Sequence, residues 1–223
     1  MVRLPIIIVN FKAYERGTGP AAVKLAKLCE AAAKATRVQI AIAVQPADIS
    51  AVAKAVKIPI FAQHIDPIQY GTFTGSILAE SVKSAGASGT LLNHAERRLA
   101  NPDIRECIHR ARKAGLLTVV CAENSHRAAE IVQYKPGMIA LEDPELISGK
   151  VSISSADPEM IRSAVRKVHA IADIPLLCGA GVHSALDVKS AMALGTRGIL
   201  IANAVVNAPD AKRVLIQLAK AMK

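Results

Sequence analysis

The chain has few aromatic residues and no paired cysteines, and both absences narrow the classes of protein it can belong to. Aromatic residues make up 3% of its 223 residues and tryptophan is absent, so the core has to consist of small aliphatic side chains. The cysteines lie far apart and include no Cys-x-x-Cys pair, which argues against a disulfide framework and a structural zinc site. We expect reduced thiols at Cys29, Cys107, Cys121 and Cys178.

Long apolar runs are missing as well. No stretch approaches the roughly 20 apolar residues that a membrane span requires. The brief apolar run near Arg3 and Pro5 is too short for the apolar region of a signal peptide. We therefore expect a soluble, cytoplasmic protein without a membrane partner.

Acidic residues are too few to balance the basic ones, and the net charge is +10. The cations are spread along predicted helices, as at Lys24, Lys27 and Lys34, and are not gathered into one run. This distribution is typical of solvated helix faces, so we expect no nucleic-acid partner. A positive field would still favour the capture of a small anionic substrate.

Short β-branched runs alternate with longer segments of helical period along the whole chain. This pattern is typical of repeated βα units around a parallel sheet. The length is close to that of one eight-stranded barrel, so we expect a single domain over residues 1–223. The eight predicted strands are Ile6 to Asn10, Gln39 to Val44, Pro59 to Ala62, Gly89 to Leu92, Leu117 to Cys121, Met138 to Leu141, Pro175 to Cys178 and Gly198 to Ile201.

Three of the intervening segments carry helix-start signals. Asp157-Pro158 places a capping side chain before a proline at the first helical position, and Asn101-Pro102 predicts a second start of the same kind. Ser184 and Asp187 have the spacing of a capping box, with Asp in place of the usual Glu or Gln. The helix that begins at Ser184 would directly follow a glycine-rich turn.

Polar residues follow the carboxyl ends of nearly all the predicted strands. An open doubly wound sheet would concentrate its site at one switch point, whereas a closed barrel draws site residues from several strand ends. The distribution therefore predicts a closed (βα)8 barrel. The polar residues concerned are Asn10, Lys12, Gln45, Gln63, His64, Asn93, His94, Glu142 and Asn203.

Three segments at these strand ends resemble the active-site segments of the triosephosphate isomerase family, in particular its archaeal branch. They are Asn10-Phe11-Lys12, Asn93-His94-Ala95-Glu96-Arg97-Arg98 and Ala140-Leu141-Glu142-Asp143-Pro144-Glu145-Leu146-Ile147. The resemblance runs from the first strand to the last and implies a TIM barrel. It also implies metal-independent interconversion of dihydroxyacetone phosphate and D-glyceraldehyde 3-phosphate, without a cofactor.

The resemblance assigns a role to each of these strand-end residues. Glu142 is the expected general base, and His94 is the neutral imidazole that hydrogen-bonds the enediolate oxygens. Lys12 supplies a fixed positive charge and Asn10 an amide donor. Glu96 is expected to pair with Lys12 and to hold it in place.

The phosphate of the substrate is expected at glycine-rich loops and at the start of a short helix. The resemblance places it at Gly181 after the seventh strand and at Ala202 and Asn203 after the eighth. A loop that closes over the phosphate is expected after Glu142. The residues expected to bind there are Ile147, Ser148 and Gly149, although Ser148 and Lys150 replace the glycines of a Gly-Thr-Gly-like stretch.

Thr72-Phe73-Thr74-Gly75 resembles the third loop of this family, which inserts into a neighbouring subunit beside the active-site lysine. The resemblance therefore implies that Thr74 lies at a subunit interface. It implies self-association as a homodimer or homotetramer, and the sequence does not decide between them.

Two other functions remain open at this point. A different phosphosugar isomerase or epimerase could use the same phosphate loops. A metal-dependent epimerase would need His and Asp ligands at successive strand ends, and apart from His64 and His94 those positions hold Asn, Gln, Cys and Ala. The second alternative is a non-catalytic barrel that binds phosphate esters or polyanions, against which the combination of Asn10, Lys12, His94 and Glu142 argues.

Overall fold

A computed structural model describes residues 2–143, 146 and 152–223. Eight parallel strands pair in chain order, and β1 also pairs with β8, so the sheet closes into a barrel. The prediction of a closed (βα)8 barrel is confirmed. The strands are β1 Ile6–Asn10, β2 Gln39–Val44, β3 Ile60–Ala62, β4 Gly89–Leu92, β5 Leu117–Ala122, β6 Met138–Leu141, β7 Leu176–Cys178 and β8 Gly198–Ile201.

Helices connect the successive strands and surround the barrel. The last of them, α10, follows β8 and packs against α1, so the outer layer closes on itself as the sheet does. The helices of the described residues are α1 Gly19–Thr36, α2 Ile49–Ala55, α3 Ala79–Ser84, α4 Asn101–Lys113, α5 Ser125–Ile131, α6 Ile153–Ala156, α7 Pro158–His169, α8 Ala185–Ala193, α9 Asn203–Val206 and α10 Ala211–Lys220.

Alternate residues of each strand serve two separate cores. In β1, Ile6 and Ile8 point into the barrel, whereas Ile7 and Val9 pack against the outer helices. This alternation follows from the period of two along a strand. Both sides are apolar, and the barrel interior is filled mainly by aliphatic side chains with Phe61 as its aromatic member. The sparse aromatic content is therefore sufficient for a packed barrel.

The number of registered pairs differs around the barrel. β1 and β2 are registered over five pairs, from Ile6 with Gln39 to Asn10 with Ala43. β7 and β8 are registered at one pair, Cys178 with Ile199. The seam between β7 and β8 is thus short, and the loops that follow these two strands lie next to each other.

Helices begin at all three predicted positions, and the expected side-chain cap forms at two of them. The Asp157 carboxylate accepts a hydrogen bond from the Met160 amide at 2.9 Å, and Ser184 and Asp187 form a reciprocal capping box before α8. The start of α4 at Asn101 is also confirmed, but the expected cap is wrong, because the helix has no side-chain cap. The Asn101 side-chain oxygen instead accepts a hydrogen bond from Arg127.

Candidate functional site

A pocket opens at the carboxyl ends of the strands and contains residues from both halves of the chain. It brings together Asn10, Lys12, His94 and Glu142, which end or follow β1, β4 and β6. The remaining walls come from the loops after β7 and β8, including Gly181, Ala202 and Asn203. All the predicted site residues of the described strand ends except Glu96 and Thr74 therefore line one pocket.

Lys12 is held in place by contacts on several sides. Its backbone has a φ of 48°, in the left-handed region, and its amide donates to the Asn10 side chain at 3.0 Å. Gln63 donates to the Lys12 carbonyl at 2.9 Å. The Lys12 ammonium contacts Glu96 at 2.6 Å, as the resemblance implied. Since the Lys12 side chain is 9% exposed, its charge faces the pocket with little screening by water.

The contacts of His94 indicate its tautomer. Its Nδ1 lies 3.1 Å from the backbone amide of Glu96, which donates to it. The Glu96 carboxylate is farther from the same nitrogen, at 3.7 Å. Because Nδ1 accepts the shorter contact, it carries a lone pair, and the proton of a neutral ring lies on Nε2. Nε2 faces Glu142 at 3.4 Å.

Glu142 is a buried carboxylate, with 3% of its surface exposed. Burial raises its pKa above the ordinary value for Glu, and the nearby His94, Cys121 and Lys12 oppose this rise. Its Oε2 is buried and has no hydrogen-bond partner among the described residues. A desolvated carboxylate with an unused oxygen can accept a proton from a ligand in the pocket.

Sequence reasoning missed two neighbours of Glu142. The Cys121 thiol lies beside the carboxylate, and burial, with the Glu142 charge next in importance, raises the pKa of this thiol well above its ordinary value. A Cβ at Gly179 would lie 2.6 Å from Cγ of Glu142 and 2.9 Å from the Leu141 carbonyl. Sequence reasoning linked neither residue to Glu142, because such contacts depend on the barrel bringing β5, β6 and β7 together.

Small residues and backbone turns form the opposite wall of the pocket. Gly181 has a φ of 65°, which a residue without a side chain adopts freely. The short helix α9 begins at Asn203, directly beside the pocket. The predicted phosphate residues Gly181, Ala202 and Asn203 thus share this wall. The predicted residues Ile147, Ser148 and Gly149, together with Lys150, lie outside the described residues.

A second cavity, of about 310 Å³, lies on the outer side of Lys12. It is lined by polar residues that include Gln63, His64, Glu96 and Arg97. The loop between β3 and α3 protrudes from the barrel and is exposed from Gln69 to Ser76, Thr74 included. In this loop the side chains of Tyr70 and Phe73 are 74% and 45% exposed.

The described residues contain neither a metal-binding cluster nor a membrane-spanning helix. Within the described residues no group of three or more His, Cys, Asp and Glu side chains is arranged to hold a metal ion. No helix of the same residues has the length and apolar character that crossing a membrane requires.

Comparison with known proteins gives one consistent result. The family model for triosephosphate isomerase matches residues 5–222. The chain is 42% identical to triosephosphate isomerase of Methanothermus fervidus over 96% of the chain and 97% of that protein. It is 44% identical to triosephosphate isomerase of Methanobacterium bryantii, over 96% of the chain and 95% of that protein.

A solved structure is also similar. The crystal structure of triosephosphate isomerase from Bartonella henselae superposes with a TM-score of 0.78, at 20% identity, over 97% of this chain and 98% of that one. At this level of identity the likeness concerns the fold, which is the same closed barrel.

Proposed function

Because this chain belongs to the triosephosphate isomerase family, we propose that Glu142, His94, Lys12 and Asn10 carry out its reaction. That reaction is the interconversion of dihydroxyacetone phosphate and D-glyceraldehyde 3-phosphate, in glycolysis and gluconeogenesis. The enzyme is an isomerase, and its substrate is a phosphorylated triose. The relatives with 38% to 44% identity that support this family are archaeal.

Glu142 is the proposed general base. Its carboxylate takes the proton from C1 of dihydroxyacetone phosphate, and the electron pair of that C–H bond moves toward the carbonyl oxygen, giving an enediolate. The hydroxyl proton has to pass from O1 to O2 of the enediolate. The protonated Glu142 then gives its proton to C2, and C1 becomes the aldehyde carbon. Its raised pKa supports this role, because a base is most effective when its pKa lies near the working pH.

His94 and Lys12 are proposed to stabilise the enediolate. The Nε2–H of His94 donates to the substrate oxygens, and the Lys12 ammonium provides a fixed positive charge on the same side. The pairing of a carboxylate base with a neutral imidazole is the assignment that belongs to this family as a whole. Nε2 of His94 and the Glu142 carboxylate are 3.4 Å apart, so substrate binding has to widen this gap.

The phosphate group is proposed to bind at the wall opposite Glu142. Backbone N–H groups of the Gly181 turn and of the start of α9 are available there, because the adjoining residues are small. We propose that Ile147, Ser148 and Gly149 complete this site when the loop after Glu142 closes. Closure would exclude water, which otherwise promotes loss of phosphate from the enediolate.

Self-association as a homodimer or homotetramer is part of the same proposal. The exposed Thr74 loop is proposed to enter the cavity beside Lys12 in a second copy of the chain. This contact would cover Glu96, whose side chain is 59% exposed in the single chain although it pairs with Lys12. It would also cover Tyr70 and Phe73, the exposed aromatic side chains of the loop.

We further propose that the protein is a single domain and acts in the cytoplasm. The eight strands close one barrel from β1 to β8, which supports the first point. The four cysteines are buried free thiols, which suits a reducing compartment.

The observation that carries the catalytic proposal is the buried Glu142 carboxylate facing the Nε2 of His94 inside a pocket that also holds Lys12. The test is a coupled assay with D-glyceraldehyde 3-phosphate on the purified protein and on Glu142→Gln, each with and without a chelator. We expect fast turnover that the chelator leaves unchanged, and a fall in kcat of about 100- to 10,000-fold in the variant.

Glu106→Gln is a suitable control for this assay, because Glu106 lies on the surface of α4 and pairs with Arg110 four residues on. It should keep the turnover of the parent protein. Retained turnover in Glu142→Gln would refute the assignment of the base. Loss of turnover with chelator would instead indicate a metal-dependent isomerase or epimerase on the same barrel.

A further inference from the structure

Asn93, the residue directly before His94, has an unusual backbone conformation and a side chain whose oxygen and nitrogen are both hydrogen-bonded. Its φ is 57°, in the left-handed region, and the residue is 1% exposed. Asn tolerates this region better than most residues, although glycine fits it without cost. The backbone requirement alone therefore does not explain why a buried amide side chain is present.

The Asn93 amide connects two parts of the fold. Its Nδ2 donates to the carbonyl of Cys121 in β5 at 2.8 Å. Its Oδ1 accepts from the backbone amide of Leu99, just before α4, at 2.8 Å. The first bond ties the end of β4 to the next strand, and the second closes the segment from Asn93 to Leu99 into a loop.

This closed segment carries the groups on one side of the proposed active site. His94 and Glu96 both belong to it, and Glu96 supplies the amide that contacts Nδ1 of His94 as well as the carboxylate that pairs with Lys12. Cys121, the partner of Asn93 on β5, lies beside the Glu142 carboxylate and interacts with it. Asn93 is therefore linked both to the segment that carries the imidazole and to the strand residue beside the carboxylate.

We infer that Asn93 is a positioning residue that sets the orientation of the His94 ring relative to Glu142. This inference rests on the proposed function, since it concerns the geometry of that reaction. The amide fixes both ends of the segment, so Glu96 N–H stays aligned with Nδ1 and the proton of His94 stays on Nε2. Without the amide, the left-handed turn would persist, but the ring would be free to rotate away from the substrate oxygens.

Asn93→Gly is the most informative variant, because glycine keeps the left-handed backbone and removes only the amide. A misplacement of a reacting group by about 1 Å can cost a factor of 100 in rate. We expect kcat to fall about 10- to 100-fold. KM should change less than about 3-fold, because the residues proposed to bind phosphate, Gly181, Ala202 and Asn203, are unchanged. Arg37→Gly is the matched control, because Arg37 also has a left-handed φ, of 60°, and lies at the opposite end of the barrel after α1.

A second readout separates positioning from a general loss of structure. In the parent protein, the ring-nitrogen chemical shifts of His94 should report a proton on Nε2 and none on Nδ1. In Asn93→Gly they should report a mixture of tautomers, although thermal unfolding stays cooperative. The Arg37→Gly control should keep both the parent kcat and the parent ring-nitrogen shifts.

The outcomes that would overturn the inference are distinct from those that would overturn the proposed function. An inactive parent protein refutes the function. An active parent with an unchanged kcat in Asn93→Gly, or with a loss confined to KM, refutes the role of Asn93. If Asn93→Gly does not fold, Asn93→Asp provides the same test, because its carboxylate can accept from Leu99 but cannot donate to the Cys121 carbonyl.

One measurement requires no variant. The Leu99 amide is bonded to the Asn93 side chain, so it should exchange with solvent deuterium as slowly as the amides of β4. Rapid exchange at Leu99 in the parent protein would show that the loop is not closed in solution, and the inference would then be wrong.

Discussion

At the scale of single residues, Glu142 combines a functional position with a cost to stability. Its carboxylate is 3% exposed and one of its oxygens has no partner among the described residues. Burying a charged group is unfavourable unless hydrogen bonds compensate for the lost water. The same burial raises its pKa, so the feature that makes the base effective also opposes folding.

The pH dependence of this cost has a definite sign. Because the pKa of Glu142 is higher in the folded state, that state binds the proton more tightly, and stability falls as pH rises through the window from the ordinary Glu value to the raised pKa. We therefore expect Glu142→Gln to be more stable than the parent at neutral pH, by about 1 kcal/mol or about 2–4 °C in Tm. Below the ordinary pKa of Glu the gain should vanish.

Thermal unfolding followed by circular dichroism at about pH 8 and about pH 4 tests this prediction. The exposed-surface change Glu106→Gln provides the baseline for removing a carboxylate from a helix surface. An equal Tm for Glu142→Gln and the parent at both pH values would mean that the buried charge is compensated in solution.

Gly179 allows a test of whether the position of Glu142 matters independently of its charge. In Gly179→Ala the new methyl group would collide with Cγ of Glu142, at 2.6 Å, and push the carboxylate out of line. We expect a loss in kcat of about 100-fold or less, from displacement by about 1 Å, with overpacking costing about 1–3 kcal/mol of stability.

Gly137→Ala is a matched control for this substitution. Gly137 directly precedes β6 at the other end of the barrel, and a Cβ there would meet the Thr118 carbonyl at 2.9 Å together with the Leu117 side chain. It should lose comparable stability and keep kcat. If both variants lost activity in proportion to their stability, the effect of Gly179 would be structural alone.

At the scale of secondary-structure elements, the capping box of α8 links helix stability to the phosphate wall. Ser184 and Asp187 bond each other's backbone amides, and Asp187 also accepts from the amide of His183 in the loop after β7. In Ser184→Ala we expect a loss of about 1 kcal/mol in the free energy of unfolding. We also expect a higher KM, because the loop after β7 becomes less ordered.

Asp210→Ala is the control that separates the expected rise in KM from the loss of helix stability. Asp210 caps α10 through a bond of 2.9 Å to the Arg213 amide, and it does not line the pocket. It should lose a similar amount of stability in chemical denaturation while KM stays at the parent value. An equal KM for the Ser184→Ala variant and the parent would separate the cap from the proposed phosphate site.

The strand boundaries also show how much of the fold can be predicted from the sequence. The β-branched runs located all eight strands, but strands three and seven begin one residue later than predicted, at Ile60 and Leu176. The prolines before them have no N–H to donate, although their carbonyls accept from Ile42 and Ile139 of the neighbouring strands. The local sequence pattern therefore predicts each strand, but it misses a boundary that depends on the absence of a backbone N–H in proline.

The candidate site shows the same limit. Asn10, Lys12, His94 and Glu142 were found because they occur in local motifs that follow strands. The contacts of Asn93 with Cys121 and the space at Gly179 depend on how neighbouring strands are aligned. The cap of α4 was wrongly predicted for a related reason, since Asn101 binds Arg127 of α5 and does not cap its own helix.

At the scale of the whole molecule, the protruding Thr74 loop predicts the state of assembly. In Phe73→Arg we expect light scattering to give the mass of one chain, where the parent gives at least twice that mass. Turnover should fall with it, because Glu96 and Lys12 would lose the cover of the neighbouring loop. A charge at this place would be costly to bury in an interface.

Ile171→Arg is the control for this change, because Ile171 is 51% exposed and lies after α7, away from the loop. It should keep the mass and the turnover of the parent. A parent protein with the mass of one chain would refute the proposed assembly directly.

The short pairing between β7 and β8 affects where the barrel opens locally. With Cys178 and Ile199 as their registered pair, these strands hold each other less extensively than β1 and β2 do. A local opening of the cylinder would therefore begin at this seam. The loops that follow these two strands form the proposed phosphate site. A bound phosphate would therefore stabilise the strand pairing with the fewest registered residues, and this local opening should become rarer as the substrate concentration rises.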